Sequence, residues 1–188
     1  MIAIESFKKF KVIDLAIILF IALIWSGIGY FVNIFLTPQS SYVISLLIAT
    51  FLMSLTVHLV RKAGSAILFY VMGGFLMFGL NDLGITHMNK IWILLIAGLV
   101  FELVFVIFKL ELKNIQLDIV LGTGFSAASI PITTAFLLST NLARSMIVPI
   151  FNLSLLSFIV GIVGAIASFF LWYRLRTNRA VLRYEYMP

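Results

Sequence analysis

The 188-residue sequence contains no cysteine and few charged residues, which make up only 11% of the chain. Without cysteine the chain can form no disulfide, thiolate nucleophile, cysteine-ligated zinc site or iron-sulfur cluster. With 63% hydrophobic residues and a mean hydropathy of +1.19, the composition lies far outside the range of water-soluble proteins. These values indicate an integral membrane protein that is solvated by lipid.

The basic residues give a net charge of +6, which raises the question of a nucleic-acid partner. They occur in short clusters between apolar runs, as in the loops of membrane proteins, and form no continuous basic stripe. We therefore expect membrane lipid, and not nucleic acid, as the surrounding partner.

Six apolar runs are each about long enough to cross a hydrocarbon core of about 30 Å. They cover residues 15–36, 42–60, 66–82, 91–108, 117–139 and 146–173. The first run follows three lysines like a signal peptide, but it is too long for the apolar part of one and lacks a convincing cleavage site. We predict a single domain over residues 1–188, an all-α bundle of six transmembrane helices joined by short loops.

The 13 Lys and Arg residues divide unequally between the two sides of this bundle, and positive loop residues are retained in the cytoplasm. One side has only Lys90 and Arg144. The other has eleven: Lys8, Lys9, Lys11, Arg61, Lys62, Lys109, Lys113, Arg174, Arg176, Arg179 and Arg183. The split predicts a multi-pass protein of the cell membrane with both termini cytoplasmic. Trp92 at the outer edge, and Trp172 with Tyr173 at the inner edge, fit an aromatic belt.

Small and polar residues recur at helical spacing in several runs, which is typical of faces that pack against protein in lipid. These stripes are Ala22, Ser26, Gly29 and Asn33; Gly122, Ser126, Ser129 and Thr133; and Ser154, Ser157, Gly161, Gly164 and Ser168. Simple packing explains any one stripe. Polar residues nevertheless gather in the outer halves, which predicts a cavity open to the outside: Asn33, Asn81, Asp82, Thr133, Thr134, Thr140, Asn141 and Asn152.

Pro131 lies inside the fifth run and removes one backbone donor from its helix. Nearby Ser129, Thr133 and Thr134 can satisfy the polar groups left open. The sequence allows two interpretations, a simple kink or an irregular backbone beside a ligand cavity.

Glu102 lies well inside the fourth run, where a carboxylate is costly and indicates a functional residue. Gly98 lies one turn before it on the same helix face, so we expect Glu102 to face another helix and not lipid. It could be a hydrogen-bonded brace, which we favour slightly, or a counter-charge for a cationic substrate.

The other intramembrane and loop ionisable residues suggest little chemistry. Asp14, Asp118 and His58 lie near cytoplasmic helix ends, where we expect them to reach water. Asp82 and His87 follow the third run and could bind a metal or a substrate. The only two histidines fall on opposite sides of the membrane, so they cannot share one metal ion or haem.

Motifs for catalysis are absent from the sequence. It has no serine, histidine and acid arrangement, no paired-carboxylate site and no phosphate-binding glycine loop. We therefore expect no cofactor, no metal, no enzymatic activity and no ATPase within the chain.

Three segments resemble the substrate-binding S component of energy-coupling factor (ECF) vitamin transporters, and most closely its YkoE thiamine type. They are Lys11 to Leu15, leading into an aromatic-rich helix; Val60 to Ala66, which opens the third helix; and Gly98 to Phe105 around Glu102. The resemblance covers about the first 110 residues. The nearest counterpart of the family's alanine-spaced docking motif is Ala22 with Ser26.

This resemblance implies a subunit that captures a vitamin from outside and delivers it together with an ECF coupling protein and two ATPase subunits. Thiamine, or its pyrimidine precursor, would suit carboxylates, amides and aromatic rings. The candidate substrate-binding residues are Glu102, Asn81, Asp82, Trp92, Tyr30, Asn33, Tyr42, Asn141 and Asn152.

Other functions compete with this one. The chain could be a non-catalytic structural subunit of a larger membrane complex, with its small-residue stripes as docking faces. An ion-coupled carrier or channel is less favoured, because a single carboxylate deep in the membrane is too few ionisable groups for an ion path.

Overall fold

The computed structural model describes residues 9–108, 111–112, 115–138 and 144–176. Over these residues the chain forms six α-helices, each overlapping one apolar run, so the all-α prediction is confirmed. Their bounds are α1 Val12–Phe35, α2 Pro38–Val60, α3 Ser65–Leu76, α4 His87–Ile107, α5 Leu117–Leu138 and α6 Arg144–Leu175. Between α4 and α5, the two-residue strands β1 (Glu111–Leu112) and β2 (Ile115–Gln116) pair antiparallel.

Five helices, α1, α2, α4, α5 and α6, are long and apolar enough to cross a membrane. Helix α3 has only 12 residues, which at 1.5 Å per residue is about 18 Å, well short of a hydrocarbon core of about 30 Å. The predicted third span, residues 66–82, is therefore wrong in its last six residues (82 − 76), because the helix ends at Leu76. The chain has the build of a multi-pass membrane protein with one short helix.

Local sequence explains several helix ends. Only Leu36 and Thr37 separate α1 from α2, and Pro38 begins α2, where its missing N–H loses no helical hydrogen bond. Helix α2 ends at Val60, and the next residue, Arg61, is left-handed with φ of 51°. Gly64, with φ of 91°, precedes α3 and supplies a conformation that residues with a Cβ rarely adopt. These two residues complete the tight turn between α2 and α3.

The helices are arranged as a closed ring. Going round it, α1 packs on α2, α2 on α6, α6 on α5, α5 on α4, α4 on α3, and α3 on α1. Helix α2 also contacts α3 and α5 across the ring. Trp25, Phe69 and Tyr70 are fully buried where α1 meets α3.

The described basic residues confirm that most of the positive charge lies at one end of the bundle. Lys62 at the end of α2 donates to the carbonyl of Lys9 before α1, and Arg61 lies over the ring of Trp172 in α6. We call this the inner end and the opposite one the outer end, following the predicted orientation. The chain termini and five of the counted residues lie outside the part that can be described: Lys8, Lys109, Lys113, Arg179 and Arg183.

Small residues bring the helices close together, as their spacing predicted. In α6 the whole stripe from Ser154 to Ser168 is buried. A Cβ added to Gly161 would lie 2.8 Å from the carbonyl oxygen of Thr123 in α5. Large apolar side chains instead cover the outside, as lipid contact requires; Phe20 in α1 and Phe170 in α6 are 64% and 65% exposed.

Candidate functional site

Helix α3 ends after 12 residues, and the chain continues from residue 77 to residue 86 without helix. The hydroxyl of Ser26 in α1 donates to the carbonyl of Leu76 at 3.5 Å, which fixes the relative heights of the two helices. From Ser26, α1 runs nine more residues to Phe35, which is about 14 Å. Because α1 continues about 14 Å beyond this contact, we infer that segment 77–86 lies within the hydrocarbon core. Non-helical backbone is tolerated there only inside protein or beside a water-filled cavity, so this segment is the first candidate for a binding site.

Lys90 of α4 binds the backbone that follows the end of α3. Its ammonium group donates to the carbonyls of Met77 at 3.2 Å and Leu80 at 3.1 Å, and it forms an ion pair with Oδ1 of Asp82. Both charged side chains are completely buried. A cation at this position also complements the negative end of the helix dipole.

The second carboxylate oxygen of Asp82, Oδ2, is buried and has no hydrogen-bond partner among the described residues. It lies beside Gly29 of α1, since a Cβ added there would be 3.9 Å from this oxygen and would overlap the Met77 side chain. A buried carboxylate oxygen normally accepts at least one hydrogen bond. Asp82 therefore offers an open acceptor to water or to a donor group on a solute.

Glu102 lies at the other end of α3. Its Oε1 accepts a hydrogen bond from the backbone N–H of Ala66 at 3.1 Å, and its carboxyl group also interacts with the N–H of Gly64. Gly98, one turn earlier, packs so closely on α3 that a Cβ would lie 2.8 Å from the Cα of Ile67. The expectation that Glu102 faces another helix is confirmed, and its geometry is that of a cap on the start of α3.

Asp82 and Glu102 therefore do not form one site. Lys90, which holds Asp82, and Glu102 are 12 residues apart on α4 (102 − 90), or about 18 Å. Of the two predicted carboxylates, Asp82 belongs to the outer end and Glu102 to the inner half of the bundle.

The other predicted substrate-binding residues are more scattered. Tyr30, Asn81, Trp92 and Asn152 are exposed, and Asn33 and Tyr42 are half-buried. Asn81 precedes Asp82 in the chain, and Asn33 follows Gly29 by one turn of α1, so these two amides belong to the same outer region. The Tyr42 hydroxyl instead bonds to Ser157 of α6 at 2.8 Å. Asn141 lies outside the described residues.

Lys90 was not among the predicted site residues, because in the sequence it is only one of two positive charges on the outer side. One signal was present: a lone lysine on the side poor in positive charge, eight residues after an aspartate and directly before an apolar run. A lysine at the start of a membrane-spanning helix is drawn out of water, so its charge needs a buried partner.

Three expectations about solvent exposure were wrong. Asp14 is buried, pairs with Lys62 and accepts the N–H of Lys11 at 2.7 Å. His58 is also buried, because its ring stacks on Trp172 with centroids 6.2 Å apart. Trp172 is itself only 6% exposed, so it packs on α2 and does not join an aromatic belt, whereas Trp92 and Tyr173 are exposed.

Metal binding gains no support from the described part of the chain, where no group of three or more His, Asp or Glu side chains could hold an ion. Asp82 is paired with Lys90, and the ring of His87 packs edge-on against Phe78 with centroids 5.5 Å apart. The two candidate metal ligands are thus engaged otherwise, Asp82 in an ion pair and His87 in aromatic packing.

Helix α5 runs unbroken through Pro131, which favours the kink over an irregular backbone. The hydroxyls of Thr133 and Thr134 bond to carbonyls of the preceding turn at 2.8 and 2.7 Å. A cavity of about 340 Å³ lies nearby between α5 and α6. Its lining is almost wholly apolar and so suits no polar solute: Ile132, Ala135, Phe136, Ile147, Ile150, Phe151 and Ser154.

Comparison with known protein families, curated proteins and solved structures gives no match for this chain. We therefore base the proposed function on the geometry around Asp82 and on the residues that carry the family resemblance.

Proposed function

We propose that this chain is the membrane-embedded substrate-binding subunit of an ATP-driven vitamin importer of the ECF type, with thiamine or its pyrimidine precursor as substrate. The observation that carries the proposal is the open carboxylate oxygen of Asp82, which is buried within the non-helical segment 77–86 after the short helix α3. Helix breaks at membrane depth mark the binding sites of many transporters. The residues that resemble the S component supply the ECF part of the proposal.

The chemistry of the proposed substrate fits this acceptor. An aminopyrimidine carries an exocyclic amino group, and its N–H can donate to Oδ2 of Asp82. Because Lys90 already neutralises the carboxylate through Oδ1, recognition would come from a hydrogen bond more than from net charge. Asn33 and Asn81 supply further amides in the same region, and exposed Tyr30 lies one residue after Gly29.

The proposal chooses between the two roles that the sequence left open for Glu102, a brace or a counter-charge for the substrate. Its carboxylate caps α3 through the N–H of Ala66, and it lies about 18 Å along α4 from the residue that holds Asp82. We therefore assign the substrate contact to Asp82 and the bracing of α3 to Glu102.

Calorimetry of the purified protein with thiamine and with its pyrimidine precursor tests the proposal directly. Asp82→Asn should weaken binding at least about tenfold, since one hydrogen bond to a charged group contributes about 1.5–3 kcal/mol. Asp118→Asn, at the inner end of α5, is the matched control and should leave affinity unchanged. Failure of the purified wild-type protein to bind any vitamin would refute the proposal.

A structural subunit of a larger membrane complex is the second candidate. Helix α1 favours it, because only 28% of its most apolar stretch is buried inside the structure. Ala22 and Ser26 do not contribute to a docking face, since Ala22 is fully buried and Ser26 bonds to α3. Co-purification with a coupling protein and ATPases supports the importer, whereas stable partners without ATPases or ligand would support the structural subunit.

A further inference from the structure

Three oxygen atoms surround the ammonium group of Lys90. Two are main-chain carbonyls just past the end of α3, Met77 at 3.2 Å and Leu80 at 3.1 Å, and the third is Oδ1 of Asp82. The ammonium group is completely buried. We call these three atoms, together with the open Oδ2 of Asp82, the oxygen cage.

The oxygen cage has the composition of a monovalent-cation site. Unwound carbonyls and the negative ends of interrupted helices coordinate Na⁺ in membrane transporters, and carbonyl oxygens replace the hydration shell of K⁺ in channels. A carboxylate adds the charge needed to take the ion out of water. In this chain a lysine side chain from α4 supplies the cation.

We propose that Lys90 is a tethered substitute for a bound monovalent cation, and that the oxygen cage is a cation site occupied by the chain's own ammonium group. The site then needs no ion from solution. Removing the lysine side chain should expose a site for K⁺, ammonium or methylammonium. This inference goes beyond the proposed function, because it involves no vitamin and its readout is thermal stability.

Physical reasons favour rebinding of a cation over collapse of the emptied site. Without Lys90, the carboxylate of Asp82 is a buried charge with no counter-ion, which strongly destabilises a fold. The carbonyls of Met77 and Leu80 lose the ammonium donor at the same time, although Met77 keeps the N–H of Leu80. Methylammonium restores the charge and all three donors, and it fits the space of a lost lysine terminus.

The test is thermal unfolding of a purified Lys90→Ala variant at constant ionic strength, with choline as the reference cation. Choline is too large for the site and carries no N–H donor. Relative to choline, methylammonium and K⁺ should raise the Tm saturably, by roughly 5–10 °C for a site filled at about 100 times its Kd. The Tm of the wild-type protein should be the same in all three salts.

Two further variants separate the oxygen cage from general salt effects. Lys90→Ala combined with Asp82→Asn should lose the cation response, since the carboxylate is gone. Lys62→Ala is the matched control: its ammonium also pairs with an aspartate, but its side chain is 11% exposed, so water replaces it without selectivity. Equal responses in Lys62→Ala and Lys90→Ala would overturn the proposal.

If Lys90→Ala unfolds in choline, the yield of monodisperse protein extracted in methylammonium or potassium chloride becomes the readout. A higher yield in those salts than in choline supports a cation site. Equal failure in all salts, or a folded Lys90→Ala protein whose Tm ignores the cation, would refute it.

Discussion

Lys90 and Glu102 hold opposite ends of the same helix. Both lie on α4, 12 residues apart (102 − 90), and α3 has 12 residues. Glu102 accepts from an N–H in the first turn of α3, and Lys90 donates to carbonyls at and beyond its C-terminal end. Each charge has the sign that the helix dipole favours at its end. This pairing explains how a helix of about 18 Å is stable inside a bundle of longer ones.

Replacing Glu102 tests whether its carboxylate stabilises the first turn of α3. Glu102→Ala removes the acceptor for the N–H of Ala66 and should lower the free energy of unfolding by about 1–3 kcal/mol. Glu102→Gln keeps an amide oxygen in the same place and should lose less than half of that. The measurement is equilibrium unfolding in mixed micelles. A glutamine variant as unstable as the alanine variant would show that the charge, and not the cap, is what matters.

Gly98 and Gly27 form a matched pair for testing the contact between α3 and α4. A Cβ at Gly98 would lie 2.8 Å from the Cα and 3.2 Å from the backbone nitrogen of Ile67, whereas one at Gly27 meets nothing within 4 Å. Gly98→Ala should therefore destabilise the fold by about 1–3 kcal/mol. Gly27→Ala should be neutral or stabilising by up to about 1 kcal/mol, since alanine favours helix. Equal effects in unfolding experiments would contradict the close packing at Gly98.

The predicted orientation can be measured without background, because the chain has no cysteine. Gln39→Cys introduces a thiol at an exposed outer position in the first turn of α2, and Arg176→Cys introduces one at an exposed inner position. A membrane-impermeant maleimide added to intact cells should label the first variant only, and permeabilised cells should show labelling of both. The reverse pattern would place the basic end of the bundle outside.

Five helices could be predicted from the sequence to within a few residues, because each is a long apolar run between polar turns. The end of α3 could not. Residues 77–80, Met-Phe-Gly-Leu, are as apolar as the helix before them, so hydropathy continues past Leu76. The contact that holds the chain after Leu76 is tertiary: Lys90, 14 residues further along the chain (90 − 76), binds the carbonyls of Met77 and Leu80 just past the helix end.

The candidate site, too, could be predicted from the sequence only where the signal is local. Gly98 one turn before Glu102 was enough to predict that this carboxylate faces protein, since helix periodicity is a local property. The pairing of Asp82 with Lys90 depends on how segment 77–86 folds back on α4. No periodicity encodes that path, so the sequence placed Asp82 on the outer side but could not supply its partner.

The bond between the Tyr42 hydroxyl and Ser157, 2.8 Å long, tests whether Tyr42 serves the fold or a substrate. Tyr42→Phe and Ser157→Ala should each destabilise the protein, and a double-mutant cycle should give a coupling of about 0.5–1.5 kcal/mol, the range found for hydrogen bonds between membrane helices. A loss of vitamin affinity in Tyr42→Phe with stability unchanged would instead assign the hydroxyl to the substrate.

At the outer end, substitutions in the buried ion pair of Asp82 and Lys90 should lower the free energy of unfolding the most. Asp82→Asn and Lys90→Met each leave one buried charge unpaired, and each should lower the free energy of unfolding by about 3–5 kcal/mol. The double variant leaves no charge, so its loss should fall short of the sum of the single losses by about 1–3 kcal/mol. Lys62→Met, which breaks a pair whose ammonium reaches water, should cost less than Lys90→Met. Strictly additive single losses would mean that the two side chains stabilise the fold separately, and that Lys90 acts only through the carbonyls of Met77 and Leu80.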